Sequence, residues 1–548
     1  MAALAGFFYW WIFAGYLLIT LAVFLKVAAS GKISFAFSRE SVLVIIITLA
    51  AAIIYSFFTT PTIFSGRDQG AISEVAIRLA QNHQLEFSTP ASGEFFKIYG
   101  AGKALNFPGF YYANDGNLTT QFPLPYISWL AIFYSLFGLA GLIIANAVLF
   151  FIFALSFYLM GRLFMESLPS LALLILALTS FSFFWFFKFT LSENMALAII
   201  WFAALQLIIF LKEFKTFNYF ILLSAAGLLV FTRVEGFAVL VMLAIILAAN
   251  KNARNFIGAD KLKRVIVPFV SFIIILTAAF FVNFPFFKEM GKVIISNSSG
   301  VQNFASSEIY TLKIFAIYGI IQFLILGVAG IIYLLKKKEY PKLAPFFLIL
   351  PVFFYLINSN ISSDHPWMLR RYVFAVLPAL IFYSVLLLYS RFYYSKKITF
   401  WVLIILLFAL NIPLFIRYAF FSENKNLLAQ TEEISRNFSD NDLVLVDRLA
   451  SGDGWAMISG PLNFLYGKQA VYFFNPGDFA KLDLSKFGKI YLIASDENID
   501  FYQDSLGEKL KYYKDYELKT ERLDVSGKNK LPDKINIAIK GKIFEIAK

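Results

Sequence analysis

The sequence predicts an all-α polytopic membrane protein of about twelve transmembrane helices, followed by a small extracytoplasmic α/β domain. Three observations predict it. The composition is too apolar for a soluble chain: 59% of the 548 residues are hydrophobic, 15% are charged and the mean hydropathy is +0.70, against about 45–50% and about 25% in an ordinary soluble domain. Apolar runs approaching the roughly 20 residues needed to cross a bilayer recur from Gly6 to Tyr418. Beyond residue 420 the pattern changes, since 38 of the last 128 residues are charged against 45 of the preceding 420.

In chain order, spans are expected near residues 7–26, 41–58, 138–160, 168–187, 192–211, 218–232, 234–249, 265–286, 312–335, 343–357, 373–391 and 399–417. Residues 1–420 thus form a transmembrane domain, interrupted by a first outer loop at about 60–122 and a second around Lys288 to Ser307. In the first loop Ile72, Val75, Ala76 and Leu79 recur at helical spacing, with Glu74, Arg78 and Gln81 on the other side. That is the pattern of an amphipathic helix lying on the membrane surface. Residues 123–137, with Pro123, Pro125, Tyr126 and Trp129, read as a second interfacial segment.

Residues 421–548 form the soluble domain. A helical pattern at 426–438 precedes short apolar runs at 443–446, 470–474 and 490–493, and the alternation Ile535, Ile537, Ile539 closes the chain as a strand.

The net charge of +13 is a topology signal. Assigning alternate loops to the cytoplasm gathers 18 basic and 5 acidic residues there, against 12 and 10 in the opposite loops. This positive-inside bias places both termini and the C-terminal domain outside the cytoplasm, in the plasma membrane of a cell, and leaves no basic surface to assign to nucleic acid. The absence of cysteine excludes disulfides, thiolate metal sites and cysteine nucleophiles, and two histidines, His83 and His365, are too few for a histidine cage.

No Asp, Glu, Lys or Arg stands near the middle of an expected span, where ion-coupled transporters place theirs. Ionisable residues collect at the outer ends instead. Asp68 follows the second span, Lys188 and Glu193 bracket the turn between the fourth and fifth, Arg233 and Glu235 lie between the sixth and seventh, and Asp364, His365, Arg370 and Arg371 precede the eleventh. A helical bundle would bring them to one outer cavity. Arg233 and Glu235, two residues apart, would not face each other on one helix, so a salt bridge between them is not expected. The run Phe181 to Phe189 is read as lipid-facing or packing surface.

Five features in this order resemble the GT-C superfamily of integral membrane glycosyltransferases, within it the bacterial protein O-mannosyltransferase-like and aminoarabinose-transferase-like branch. They are Phe64-Ser65-Gly66-Arg67-Asp68-Gln69-Gly70 with a surface helix after it, a proline-rich segment leading through Leu136-Phe137-Gly138, Phe189-Thr190-Leu191-Ser192-Glu193-Asn194 opening a span, Thr232-Arg233-Val234-Glu235-Gly236, and Arg370-Arg371-Tyr372 before Leu377-Pro378. The resemblance runs from about residue 41 to about residue 420. It implies a GT-C-like fold and transfer of one sugar from a polyprenyl-phosphate carrier, within the membrane lipid, to an extracytoplasmic glycan, lipid or protein acceptor.

By that resemblance Asp68 is the base that takes the proton from the acceptor hydroxyl. Glu193 is a substrate contact, or with Asp68 a ligand to a divalent metal, and Arg370 and Arg371 bind the lipid phosphate. Arg67, Arg233, Glu235 and Lys103 join them as substrate-binding candidates. Two departures weigh against a metal: Gln69 stands where many relatives carry a second acid, and Glu193 lacks a neighbouring carboxylate. Two other readings stay open, a glycan polymerase or ligase using a diphosphate-linked oligosaccharide and a lipid or solute transporter or flippase.

Overall fold

The computed structural model describes residues 2–3, 6–29, 38–59, 62–258, 262–282, 284, 308–357, 364–527 and 529–548. The second outer loop, around Lys288 to Ser307, lies outside them. The N-terminal part runs through α1 (Trp10–Ala29), α2 (Arg39–Phe57), α3 (Asp68–Asn82) and α4 (Pro90–Tyr99), then a small antiparallel sheet of β1 (Gly102–Lys103), β2 (Phe110–Tyr112) and β3 (Leu118–Thr120). Next come α5 (Leu124–Phe137), α6 (Leu139–Arg162), α7 (Ser167–Thr179), α8 (Phe181–Phe186), α9 (Ser192–Glu213), α10 (Thr216–Thr232), α11 (Glu235–Ala249), α12 (Lys251–Gly258) and α13 (Leu262–Val282). The helical part ends with α14 (Glu308–Ile317), α15 (Ile321–Lys336), α16 (Tyr340–Ile349), α17 (Arg370–Val373), α18 (Val376–Leu388) and α19 (Lys397–Tyr418).

Among the described residues five helices are long and apolar enough to cross a membrane, or seven if each of two bent pairs counts as one span. Two expected spans are not continuous helices. The one at 312–335 is α14 and α15 meeting at 111°, because Gly319 turns the chain at φ +63°. The one at 168–187 breaks at Ser180, whose extended backbone (φ −71°, ψ 135°) separates α7 from α8. The phenylalanines of α8 and the following turn are buried in the helical core, so they serve packing.

Packing between apolar helices in lipid depends on close backbone approach at small residues. Gly327 and Gly330 of α15 supply it: a Cβ at either would strike the backbone of Leu380 or Tyr383 in α18. Buried polar groups are used as inter-helix ties. Tyr55 donates to the Leu178 carbonyl (2.6 Å), Trp201 to that of Phe374 (3.2 Å), and Tyr383 to that of Lys342 (3.0 Å).

After α19 come α20 (Leu427–Ser435), β4 (Leu443–Val446), β5 (Gln469–Tyr472), β6 (Ile490–Ser495), α21 (Ile499–Leu506), β7 (Leu510–Asp524) and β8 (Asp533–Ile546). The sheet order is β5-β4-β6-β8-β7, with β4 parallel to both neighbours and β8 antiparallel to β6 and β7. A strand flanked on both sides in a parallel arrangement is buried on both faces, which is why β4 reads as an unbroken Leu-Val-Leu-Val.

This sheet region sits on the first loop. Ser65 and Met457 form an antiparallel bridge, Asn106 exchanges two hydrogen bonds with the Tyr472 backbone, Lys486 pairs with Glu94 at 2.7 Å, and Phe110 stacks on Phe464 at 5.1 Å. The amphipathic helix expected on the membrane surface is α3, but this docking covers its polar side at Glu74, while Arg78 is half-buried and Gln81 stays exposed. Glu74 is fully buried, accepts a hydrogen bond from Ser65 Oγ (2.7 Å) and faces Gly460, where a Cβ would collide with its carboxyl.

Burial, only partly offset by Ser65, pushes the Glu74 carboxyl from 4.5 up to about 8. The folded protein then keeps a proton that the unfolded chain has lost, so stability falls as pH rises from about 4.5 to about 8 and levels off above. We expect Glu74→Gln to abolish that slope, worth up to about 5 kcal/mol, and to raise the thermal midpoint at pH 8 while leaving it nearly unchanged at pH 4.5. Gly330→Leu is expected to lower the midpoint at every pH, by the equivalent of about 1–3 kcal/mol or more, because the side chain has no room against α18.

A buried arginine and carboxylate cluster as candidate active site

Asp68 begins α3, where a negative charge is favoured by the helix dipole. The chain reaches it through Gly66, whose φ of +109° and contact with the Gly454 backbone leave no space for a side chain. A hydroxyl cluster ties this corner to the start of α9: Thr190 Oγ1 lies 2.6 Å from Ser73 Oγ and 2.7 Å from Thr62 Oγ1, and donates to the Gln69 carbonyl at 2.9 Å. The turn before α9 is held by Asn146 and Asn194, which donate to the Phe189 carbonyl at 3.0 and 2.8 Å. Asp68 and Glu193 are thereby brought into one region from positions 125 residues apart in the chain.

Arginines from two further turns complete it. Arg370 Nη1 lies 2.7 Å from Asp68 Oδ2, and its Nε is 3.7 Å from Glu193 Oε1. Arg233 reaches Glu193 at 3.0 Å and grips both oxygens of Glu235 at 2.8 and 3.2 Å. That last pair corrects the expectation from helical spacing: Arg233 is extended (φ −153°, ψ 149°) between α10 and α11, so its side chain folds back onto the first residue of α11. Arg371 lies 3.9 Å from Glu235, which also accepts from Tyr355 at 2.5 Å. Aromatic rings cover the guanidiniums, with Trp367 at 4.6 Å from Arg370, Phe374 at 4.8 Å from Arg233 and Tyr355 at 5.6 Å from Arg371.

The members differ in access. Glu193 and Arg233 are buried, whereas the Asp68 side chain is 41% exposed. Burial among its neighbours favours the neutral acid of Asp68, but the charges of Arg370, Arg371 and Arg233 outweigh it and hold the carboxyl below its usual range. Asp68 is therefore ionised and reachable at neutral pH. The Nε atoms of Arg370 and Arg371 are buried and make no hydrogen bond among the described residues, Arg370 Nε facing Glu193 at 3.7 Å.

Two candidates stand apart. Arg67 turns from Asp68 to pair with Asp364 at 2.8 Å, its guanidinium sandwiched between Trp367 (4.4 Å) and Trp455 (4.6 Å). Lys103 is exposed on β1 and makes no ion pair with the cluster. For a metal, the pair Asp68 and Glu193 is bridged by Arg370, and among the described residues no three His, Cys, Asp or Glu side chains gather to hold one. As arranged, these two carboxylates fit a guanidinium between them and do not form a metal cage.

Sequence reasoning did not single out Trp367, Tyr355 or Trp455, which come from three separate segments and carry no motif. Lys188, seen at an outer turn, serves the structure: its ammonium donates to the carbonyls of Tyr418, Ala419 and Phe421, closing the end of α19. His365 is buried between the Tyr318 hydroxyl (2.9 Å) and the Gly527 carbonyl (3.1 Å).

A helical membrane body with charged groups at helix ends under a mixed sheet is a fold that solved structures share. The chain shares its fold with ArnT from Cupriavidus metallidurans bound to undecaprenyl phosphate, at TM-score 0.56 and 11% identity over 92% of this chain and 98% of that one. It also matches the archaeal oligosaccharyltransferase AglB from Archaeoglobus fulgidus, in complex with an inhibitory peptide and a dolichol-phosphate, at TM-score 0.51 and 11% identity over 84% of this chain and 70% of that one. No family model and no curated protein sequence matches it.

Arg233 is the partner on which two buried carboxylates depend. Arg233→Met is expected to cost about 3–5 kcal/mol by leaving Glu193 and Glu235 under-compensated, read as a fall in thermal midpoint in lipid. The triple variant that also carries Glu193→Gln and Glu235→Gln should recover most of the loss.

Proposed function

We propose that this chain is a membrane glycosyltransferase that moves one sugar from a polyprenyl-phosphate carrier to a hydroxyl of an extracytoplasmic glycan, lipid or protein in the cell envelope. The observation that carries the reading is the juxtaposition of an ionised, accessible carboxylate, Asp68, with the cationic pair Arg370 and Arg371. Its support from comparison is that structures of the same fold hold undecaprenyl phosphate and dolichol-phosphate.

In this reading the acceptor oxygen attacks the anomeric carbon of the donor sugar as Asp68 takes the hydroxyl proton. The bond from the anomeric carbon to the phosphate oxygen breaks, and the polyprenyl phosphate leaves with the bonding electrons. Arg370 and Arg371 stabilise the charge that develops on that oxygen, where donors already in place act without reorganisation. Arg370 also fixes the Asp68 carboxylate, so the base and the leaving-group site are set by one side chain. Glu193, Arg233 and Glu235 hold Arg370 and Arg371 in register and touch the substrate only through them.

The test is transfer by purified protein in lipid from a panel of labelled polyprenyl-phosphate sugars. Asp68→Asn is expected to lower transfer by about 10²–10⁴-fold with its thermal midpoint retained. An Asn variant that turns over like wild type would remove Asp68 as the base. A released carrier bearing a diphosphate, with an oligosaccharide moved whole, would favour the ligase reading instead.

A further inference from the structure

A groove of about 610 Å³ lies where α15, α18 and α19 meet. Its walls are aliphatic, with Leu326 and Ala329 from α15, Leu387 from α18, and Leu403, Leu406 and Leu407 from α19. Its volume is that of a ligand site, about 300–1,000 Å³. Helices α15 and α18 run in the same direction, since Gly327 packs on Leu380 and Gly330 on Tyr383, and α19 returns beside them. The groove therefore follows α15 from Gln322 to Tyr333, about 16 Å of helix. That is about half of a roughly 30 Å hydrocarbon core, the depth of one leaflet.

The two ends of the groove differ. At one, Gln322 is spent on the Gly319 carbonyl (2.5 Å) and no charged side chain is present. At the other, Arg391 lines the groove near Tyr333. The register of Gly327 on Leu380 brings the end of α15, Lys336-Lys337-Lys338, to the level of Arg391, and Lys396 and Lys397 open α19 there. All six cations are exposed, and among the described residues none of them has an ion pair. The acids that meet this end are committed elsewhere: Glu339 pairs with Lys342, and Glu166 accepts from the hydroxyls of Tyr393 (2.7 Å) and Tyr394 (3.0 Å). This charged end is the far end of α18 from Arg370 and Arg371, on the side that the loop charges assign to the cytoplasm.

These ends select the occupant. A second copy of the chain would set its own cations against the same six, a repulsion. A polyprenyl carrier with its phosphate at the arginine cluster would bring only its apolar tail here, and a neutral lipid would leave the cations without a counter-charge. An amphiphile with chains one leaflet long and a negative head answers both ends. We propose that the groove binds an anionic phospholipid of the cytoplasmic leaflet, its acyl chains along Leu326, Leu387 and Leu406 and its phosphate at Arg391, with the neighbouring lysines supplying the attracting field. A lipid seated there packs against all three helices at once. The site does not rest on the transfer reading, and loss of either leaves the other standing.

The experiment uses the full chain purified in a neutral detergent, with dioleoyl-phosphatidylglycerol, dioleoyl-phosphatidylcholine and undecaprenyl phosphate as probes. Native mass spectrometry reads the lipid retained per chain, and the rise in thermal midpoint reads binding to the folded state. Phosphatidylglycerol is expected to bind at least about tenfold more tightly than phosphatidylcholine, and Arg391→Gln to weaken it about fivefold. Ala329→Trp, which fills the groove from an exposed position and leaves every charge in place, should abolish retention of phosphatidylglycerol. Arg254→Gln removes an exposed cation of α12 on the same side and should bind as wild type does. An equal loss in Arg254→Gln and Arg391→Gln marks a diffuse basic surface and overturns the site. Equal binding of the two phospholipids overturns the anionic class. Undecaprenyl phosphate that displaces phosphatidylglycerol, and is itself lost in Ala329→Trp, assigns the groove to the carrier and overturns the proposal. Midpoints without lipid identify a variant that has not folded, and because Arg391→Gln and Ala329→Trp alter different parts of the site, either one decides the test.

Discussion

Charge compensation among Arg233, Arg370 and Arg371 and the carboxylates Asp68, Glu193 and Glu235 is the constraint on which the rest of the molecule depends. A lone charge at such depth costs several kcal/mol after relaxation. Three guanidiniums and three carboxylates in mutual contact remove that cost only if their supporting segments meet in one register. Those segments are the starts of α3, α9 and α11 and the short α17. The network therefore fixes the outer ends of these helices relative to one another, and close packing such as Gly327 and Gly330 against α18 carries the helical body beneath it. Rings over each guanidinium add attraction and exclude water, which strengthens every charge contact inside.

The sheet region is part of this arrangement through the first loop. Gly66 has no space for a side chain because Gly454 is there, and Ser65 is paired with Met457, so the two residues that lead into Arg67-Asp68 are held by the C-terminal part of the chain. Arg67 repeats the logic with side chains, lying between a tryptophan from each side. The position of Asp68 thus reflects contacts made more than 380 residues later in the chain.

Much of this was legible in the sequence because it is local. Hydropathy located the helices, and the apolar runs at 443–446 and 490–493 located β4 and β6. Placement of ionisable residues at one set of helix ends anticipated the gathering of Asp68, Glu193, Arg233, Glu235, Arg370 and Arg371. Helical spacing failed at Arg233 and Glu235, since the chain leaves the helix between them. Strand β7 was not seen, because it is an edge strand whose outward positions are crowded with charge, as edges are protected. Helical spacing puts Glu74 on the polar side of α3, but such a period reports which side is polar and not what covers it. Trp367, Tyr355 and Trp455 act through tertiary contact alone and had no local signature.

The three carboxylates show how one network assigns different work to like groups. Glu193 and Glu235 are closed off by Arg233, Arg370 and Tyr355, so an acceptor proton would have to displace a bidentate ion pair to reach them. Asp68 makes one such contact and has its remaining surface open. A base must be both ionised and reachable, and these requirements conflict in an apolar site: exposure grants access but weakens the field that keeps the group charged. Here Arg370 resolves the conflict from behind. It is itself held toward Glu193, so it supports the Asp68 charge while the Asp68 side chain stays 41% exposed. The inner carboxylates are counter-charges for the arginines, and the outer one is the member of the three that solvent reaches.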